Sequence, residues 1–125
     1  MNNAEFSEQL RQRTKRVALQ LIRFTQTLPK IDEAYVIRRQ LIKSGTSVAA
    51  NYRATTRARS GAEFYSKLCI VVEEVDETLF WLELIEEAEL STEEIIQPIK
   101  NEVTEILSIL AKARKNYKIN NSTNQ

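Results

Sequence analysis

Residues 95–117, IIQPIKNEVTEILSILAKARKNY, carry the clearest fold signal in the chain. Their apolar side chains recur every three or four positions in nearly strict heptads: Ile95, Ile99, Val103, Ile106, Leu110, Ala113 and Tyr117. That spacing places them on one face of an α-helix, because a helix turns once in about 3.6 residues. The stretch therefore predicts a helix over about 92–117 whose apolar face packs against other helices.

The same periodicity continues outward through the rest of the chain. It predicts three further helices, over about 4–28, 32–57 and 61–88, with Pro29 ending the first of them. Asp32 is a candidate N-cap for the second, and Ser60 with Glu63 forms a candidate capping box for the third. Residues 118–125 are polar and are predicted to be a frayed tail.

Four helices of similar length with short connections are typical of one architecture. We expect an all-α, single-domain, antiparallel up-down-up-down four-helix bundle spanning 1–125. Two glycines and two prolines in 125 residues leave few sites for the tight turns of a β-sandwich or barrel.

The composition excludes several classes of chemistry. The chain has no histidine, which removes histidine bases, histidine-activated nucleophiles and histidine-ligated metals. The one cysteine, Cys69, cannot form an intrachain disulfide and suits a reducing compartment. No apolar run approaches the ~20 residues that span a bilayer. We therefore expect a cytoplasmic protein without a membrane segment, metal, cofactor or catalytic activity.

Charge is strongly segregated along the chain. Residues 1–59 hold 12 Lys and Arg against 4 Asp and Glu, a net charge of +8, whereas residues 60–125 hold 6 against 13, a net charge of −7. Three interpretations remain open from sequence alone. The halves could compensate one another within the bundle, the basic half could bind nucleic acid, or it could dock on the acidic half of another subunit.

Basic side chains form a row along the second predicted helix, opposite its apolar face, and the first helix adds more. The predicted nucleic-acid-binding residues are Arg39, Lys43, Arg53, Arg57, Arg59, Arg11 and Lys15. Aligned cations can neutralise successive phosphates and release counterions. An ordinary solvated face is the alternative. No aromatic residues interleave with these cations, so binding should have little sequence preference.

The third helix has apolar side chains outside its main stripe. Ile70, Phe80, Trp81 and Leu84 form this second stripe, and a helix that is apolar on two faces needs a second partner. We predict a homo-oligomer interface here. The alternative is lateral packing against a neighbouring helix of the same bundle.

A seam of small polar side chains runs beside the apolar face of the second helix: Gln40, Ser44, Ser47 and Asn51. Buried polar groups need hydrogen-bond partners. If the second and third helices are antiparallel about Ser60, then Ser44 and Ser47 lie level with Asp76 and Glu73. We predict hydrogen bonds between these groups, with a structural rather than a catalytic role.

Residues 40–52, QLIKSGTSVAANY, resemble the signature of the four-helix bundle protein family, also called 23S rRNA-intervening sequence proteins. Leu28-Pro29, Ser60-x-x-Glu63-Phe64 and Trp81-Leu82-Glu83-Leu84 fit the same pattern. The resemblance implies a barrel-like homopentamer of left-handed bundles. It also implies similarity to the accessory variability determinant protein of diversity-generating retroelements, which binds nucleic acid and a reverse transcriptase. Where many members continue the signature with Ile-Ala-Glu-Gly, this chain has Tyr52-Arg53-Ala54-Thr55, which extends the basic row.

Other functions remain alternatives to a nucleic-acid-binding oligomer. A structural or adaptor oligomer that binds a protein partner shares every feature of the fold. An all-carboxylate magnesium site would match Glu73-Glu74-x-x-Glu77, but its second half needs an aspartate downstream, and none follows Asp76. A membrane-surface role for the basic first helix is a further alternative.

Overall fold

Four α-helices pack side by side around a shared apolar interior in the computed structural model, which describes residues 3–123. They are α1 (Asn3–Thr25), α2 (Asp32–Thr55), α3 (Gly61–Glu87) and α4 (Glu93–Thr123). Helices adjacent in sequence pack against one another, and a smaller contact between α1 and α4 closes the ring. The predicted all-α four-helix bundle is confirmed, and no strand occurs within residues 3–123.

The helix starts differ in how they are capped. The Ser60 side chain accepts a hydrogen bond of 3.1 Å from the backbone N–H of Glu63, as the capping box predicts. At α2, however, the N-cap position falls on Ile31, whose side chain cannot accept a hydrogen bond. Asp32 is the first helical residue, so its prediction as N-cap was wrong. Its carboxylate still lies in the first turn, where negative charge is favourable.

The end of α4 also departs from the prediction. The helix continues to Thr123, beyond its expected end near Tyr117, and residues 124 and 125 lie outside the described part. Residues 118–123 are therefore helical, and fraying of this last part of α4 stays a prediction. The Tyr117 ring packs against Phe64 and Tyr65 of α3, with ring centroids 5.4 and 5.6 Å apart. This aromatic contact anchors α4 close to the point where the apolar periodicity stops.

The core lies along the bundle axis and consists mainly of the predicted stripes. Its largest fully buried side chains are Leu21, Leu41, Leu68, Leu82, Ile85, Ile96, Ile106 and Leu110. One member of the α4 stripe was assigned wrongly. Ile95 is 46% exposed, and Ile96 is buried in its place, because Ile96 is spaced three and seven residues from Ile99 and Val103.

Ion pairs support the two helix contacts that α4 makes. Arg13 of α1 donates two hydrogen bonds, of 3.1 and 2.6 Å, to the Glu102 carboxylate and lies 3.4 Å from Glu105. The hydrogen bond to Glu102 is the main reason that the pKa of Arg13 is raised. Lys100 pairs with Glu86 of α3 at 2.7 Å.

None of the four helices combines the length and the hydropathy that crossing a lipid bilayer requires, within residues 3–123.

Candidate nucleic-acid interface

An open groove of about 400 Å³ runs between α1 and α2 on the outside of the bundle. Its lining residues are Arg11, Gln12, Lys15, Thr46, Ala49, Ala50, Arg53 and Arg57. Arg11 and Lys15 come from α1, Arg53 comes from the last turn of α2, and Arg57 comes from the turn that follows it. The other α2 residues of the lining are small. A ligand can therefore approach the helix backbone closely while it is flanked by positive charge.

A close approach between the two helices sets the geometry of the groove. Gly45 of α2 faces Leu21 of α1, and a Cβ at Gly45 would overlap the Leu21 Cδ1 atom. Leu21 is fully buried, so making room would require its side chain to repack within the core. Because α1 packs so closely against α2, Arg11 and Lys15 lie in the same groove as Arg53 and Arg57.

The row of groove residues on α2 is longer than the groove itself. Arg39, Lys43, Thr46, Ala50 and Arg53 follow one another at spacings of four and three, so they share one face of the helix, and Arg57 follows in the turn after it. At ~1.5 Å per residue the helical part of the row is ~21 Å long. Arg39 and Lys43 are exposed on this face but lie beyond the groove lining.

The groove is electrostatically unbalanced. Arg11 pairs with Glu8, one turn away on α1. Hydrogen bonds from Gln12 and then Arg11 hold the pKa of Glu8 below its usual value. Lys15, Arg53 and Arg57 form no ion pair with any residue of the described chain. Three cations thus point into solvent without a counterion from the protein, which suits the binding of a polyanion.

Tyr52 forms part of the support beneath the groove. Its side chain is buried in the core, and burial raises its pKa above the usual value. A hydrogen bond with Ser7 and the charge of Arg11 act in the opposite direction. Because the tyrosine ring is covered, it cannot stack on a base. No aromatic side chain lines the groove, which favours contact with a nucleic-acid backbone over contact with bases.

The predicted binding residues are therefore divided by the structure. Arg11, Lys15, Arg53 and Arg57 converge on one groove, whereas Arg59 lies in the α2–α3 connection and approaches Glu63 at 3.9 Å. Sequence reasoning missed Gln12, Thr46, Ala49 and Ala50. The available signal was the regular spacing of Thr46 and Ala50 within the basic row.

The polar seam forms hydrogen bonds, but with different partners from those predicted. Ser44 accepts a hydrogen bond of 2.9 Å from the Thr78 hydroxyl and itself donates to the Leu41 carbonyl at 3.3 Å. Asn51 donates to Glu74 at 2.8 Å. The prediction found nearly the right height along α3 for the partners of the seam, but it chose side chains on the wrong face of that helix.

Glu73 and Asp76 do not take part in the seam. Both are exposed, because they lie about half a turn away from the stripe Val71, Val75, Thr78 and Leu82 that faces the bundle interior. The predicted hydrogen bonds from Ser44 and Ser47 to these carboxylates are therefore wrong. Gln40 and Ser47 are half-buried and form no hydrogen bond between side chains in the described part of the protein.

The second apolar stripe of α3 is only partly on the surface. Ile70 and Phe80 are 47% and 50% exposed, whereas Trp81 and Leu84 are half-buried. Trp81 packs against the core and makes an edge-to-face contact with Phe80, with ring centroids 4.9 Å apart. The Trp81 Nε1 atom is buried without a hydrogen-bond acceptor in the described residues. Lateral packing thus accounts for part of the stripe, and Ile70 and Phe80 remain available to a partner.

The acidic residues do not form a recognisable metal site. Within residues 3–123, no three His, Cys, Asp or Glu side chains are grouped so that they could hold one metal ion. Glu73 and Glu77 are exposed, and Glu74 is hydrogen-bonded to Asn51. A cavity of about 10 Å³ lies in the core, lined by groups that include Thr14 and Thr78, and it is too small for a substrate.

Comparison with known proteins places this fold in a family. The model of the family described as 23S rRNA-intervening sequence protein matches residues 7–112. The chain is also similar to a protein of unknown function from the S23 ribosomal protein family of Bacteroides thetaiotaomicron, seen in a crystal structure. The two share 33% sequence identity with a TM-score of 0.78, and the match covers 85% of this chain and 98% of that chain. Among curated proteins, none matches the sequence. Neither description names an enzymatic activity.

Proposed function

Since this chain belongs to the 23S rRNA-intervening sequence protein family, we propose that it is a noncatalytic, homo-oligomeric bundle that binds the sugar-phosphate backbone of nucleic acid in the α1–α2 groove. The observation that carries this proposal is the convergence of Arg11, Lys15, Arg53 and Arg57 on one groove. Three of these cations have no ion pair in the described chain. The basic row of α2 continues beyond the groove, so an extended polyanion fits the surface better than a small anion.

The side chains of the groove also determine which parts of a nucleic acid it can recognise. Guanidinium and ammonium groups contact phosphates of any sequence, whereas specificity requires hydrogen bonds or stacking at the bases. The lining offers neither an aromatic ring nor a row of amides. We therefore propose binding to RNA or DNA with little sequence preference, beside an enzyme that acts on nucleic acid, such as a reverse transcriptase. The self-association in this proposal rests on the exposed apolar side chains of α3 and follows the homopentamer that the resemblance implies.

Fluorescence anisotropy with labelled RNA and DNA of several sequences, measured across a salt series, tests the proposal. Four phosphate contacts on a duplex predict a slope of about −3.6 in log affinity against log salt, which is roughly a hundredfold loss between about 50 and 200 mM. Replacing two of the cations, Arg53→Gln and Arg57→Gln, should reduce the slope by about 1.8.

A matched control separates the effect of the protein's net charge from the effect of where its cations lie. Lys115→Gln with Lys118→Gln removes two exposed cations from α4, outside the groove, and should leave the slope unchanged. Equal losses in both double variants would show that only net charge matters and would contradict a groove site. Undetectable binding at the lowest salt would favour the alternative, an adaptor oligomer with a protein partner and no nucleic-acid affinity. Exposed Tyr35 and Val36 near the start of α2 are the observation that favours this second candidate.

A further inference from the structure

Phe80 is the centre of an apolar and acidic face on the outside of α3. Its side chain is 50% exposed. The four positions that surround it on the helix surface, three and four residues away in each direction, are Asp76, Glu77, Glu83 and Leu84. None of the three carboxylates forms an ion pair with a described residue of this chain. We call this set the α3 face.

Leu19 is the centre of a face on α1 with the same pattern and the opposite charge. Leu19 and Ile22 are 45% and 38% exposed. The four positions around Leu19 are Lys15, Arg16, Ile22 and Arg23. These three cations likewise lack an ion pair within residues 3–123. We call this set the α1 face. Each face thus presents two exposed or half-buried apolar side chains among three charges of one sign.

The two faces cannot meet within one molecule. Helix α1 packs against α2 and α4, and α3 packs against the same two helices, so α1 and α3 are diagonal in the bundle. Their outward faces therefore point away from each other. Only a second molecule can bring an α1 face and an α3 face together.

Charge argues against either face pairing with itself. Two α3 faces would place six carboxylates across one contact, and two α1 faces would place six cations there, and like charges in an interface cost several kcal/mol. We propose that a second copy of this chain docks its α1 face on the α3 face, with Leu19 and Ile22 against Phe80 and Leu84. This inference rests on the self-association in the proposed function and specifies the surfaces that perform it.

Such a contact is heterologous, because each subunit contributes a different surface. Every docked subunit keeps one unused face, so assembly continues until the chain of subunits closes into a ring. The α1–α2 groove stays largely outside the contact. Lys15 alone belongs to both, at the border between the groove and the α1 face.

Two charge-reversal variants test the docking, with mass measured by light scattering after size-exclusion chromatography. Variant A carries Asp76→Lys and Glu83→Lys, which make both of its faces basic. Variant B carries Arg16→Glu and Arg23→Glu, which make both faces acidic. We expect each alone to lose self-association by roughly a hundredfold or more, and an equimolar mixture to associate again through A–B contacts. Since A and B must alternate, the mixed assemblies should contain even numbers of subunits and should not close into a ring of five. Neither variant changes a residue that lines the groove, so variant A should keep the salt slope of nucleic-acid binding.

Trp81 supplies a second readout because it is the only tryptophan and touches Phe80. In the unmodified protein, its emission should shift to shorter wavelength as concentration rises, and in variant A it should not. Lys115→Glu with Lys118→Glu is the control for charge change outside both faces, and circular dichroism checks that each variant is folded.

The outcomes separate this inference from the proposal it rests on. Variant B that still self-associates would overturn the docking, since its intact α3 face would then be pairing with itself or other surfaces would be responsible. A mixture in which variants A and B do not associate with each other at all would overturn it as well. An unmodified protein that stays monomeric at the highest concentrations would overturn the self-association itself and leave the groove proposal standing.

Discussion

Adding one methyl group at Gly45 tests whether the close approach of α1 and α2 is what builds the groove. In an exposed helix, Gly→Ala is stabilising by about 1 kcal/mol, because glycine loses more backbone entropy on folding. Here the new Cβ would overlap Leu21 Cδ1. A small cavity lies beside Gly45 and can take up only part of the displacement, so the Leu21 side chain must shift. Overpacking of this kind costs about 1–3 kcal/mol.

The two terms oppose each other, so we expect Gly45→Ala to lower the free energy of unfolding by about 0–2 kcal/mol. The sign should reverse when the obstructing side chain is removed. Leu21→Ala alone should cost about 2–5 kcal/mol. In that background Gly45→Ala should recover about 1 kcal/mol, because only the helix-propensity term remains.

Urea denaturation of the four proteins in this cycle gives the coupling energy. Ala50→Gly is the matched control, since Ala50 is exposed on the same helix and reports the propensity term without a packing term. Equal stabilisation by Gly45→Ala in the unmodified protein and in the Leu21→Ala background would refute the reasoning, because it would show that α1 does not press on Gly45. The single variant should also weaken nucleic-acid binding if it separates the two sides of the groove.

Three further predictions concern stability. Ser44→Ala should cost about 1 kcal/mol, because the cross-helix hydrogen bond to Thr78 is lost and Thr78 keeps only the carbonyl of Glu74 on its own helix, whereas Ser47→Ala should cost almost nothing; urea denaturation compares the two. Arg13→Gln removes the ion pair between α1 and α4 and should cost about 1 kcal/mol at low salt and less at high salt, which thermal melts in both buffers measure. Burial raises the pKa of Tyr52, so the folded protein retains a phenolic proton that the unfolded chain releases first. The free energy of unfolding should therefore fall as pH rises from the usual tyrosine value of 10.0 through the higher folded value, and less steeply in Tyr52→Phe; denaturation at several alkaline pH values decides.

The sequence predicts the helices well because their apolar periodicity is long and uninterrupted, as in α4. It fails where a neighbouring helix decides the outcome. The packing of Tyr117 against Phe64 and Tyr65 is a contact between helices that no local pattern reveals. To predict the partners of the polar seam, one needs the rotation of α3 about its own axis as well as its position along α2. That rotation leaves Glu73 and Asp76 exposed.

The sequence predicts the cations on each side of the candidate groove, but not that the two sides meet. Helical spacing aligns Arg11 and Lys15 on α1, and it places Arg53 on the basic face of α2, with Arg57 just beyond the helix end. It does not reveal that the two sides meet, because that depends on the distance and rotation between the helices. The contact of Gly45 with Leu21 reflects that short distance, and in the sequence Gly45 looks like one more member of an apolar stripe.

In the described part of the chain, few ion pairs join its basic half to its acidic half. If the basic and acidic halves compensated each other within the bundle, many pairs should join residues 1–59 to residues 60–125. In the described structure Arg13 and Arg59 make such pairs, and the Arg59 contact is long, at 3.9 Å, and highly exposed. The groove cations Lys15, Arg53 and Arg57 and the carboxylates around Phe80 are left without protein counterions. Two surfaces of opposite sign then remain for external partners, and both interactions should weaken as salt rises while the stability of the isolated bundle changes little, since its core is apolar.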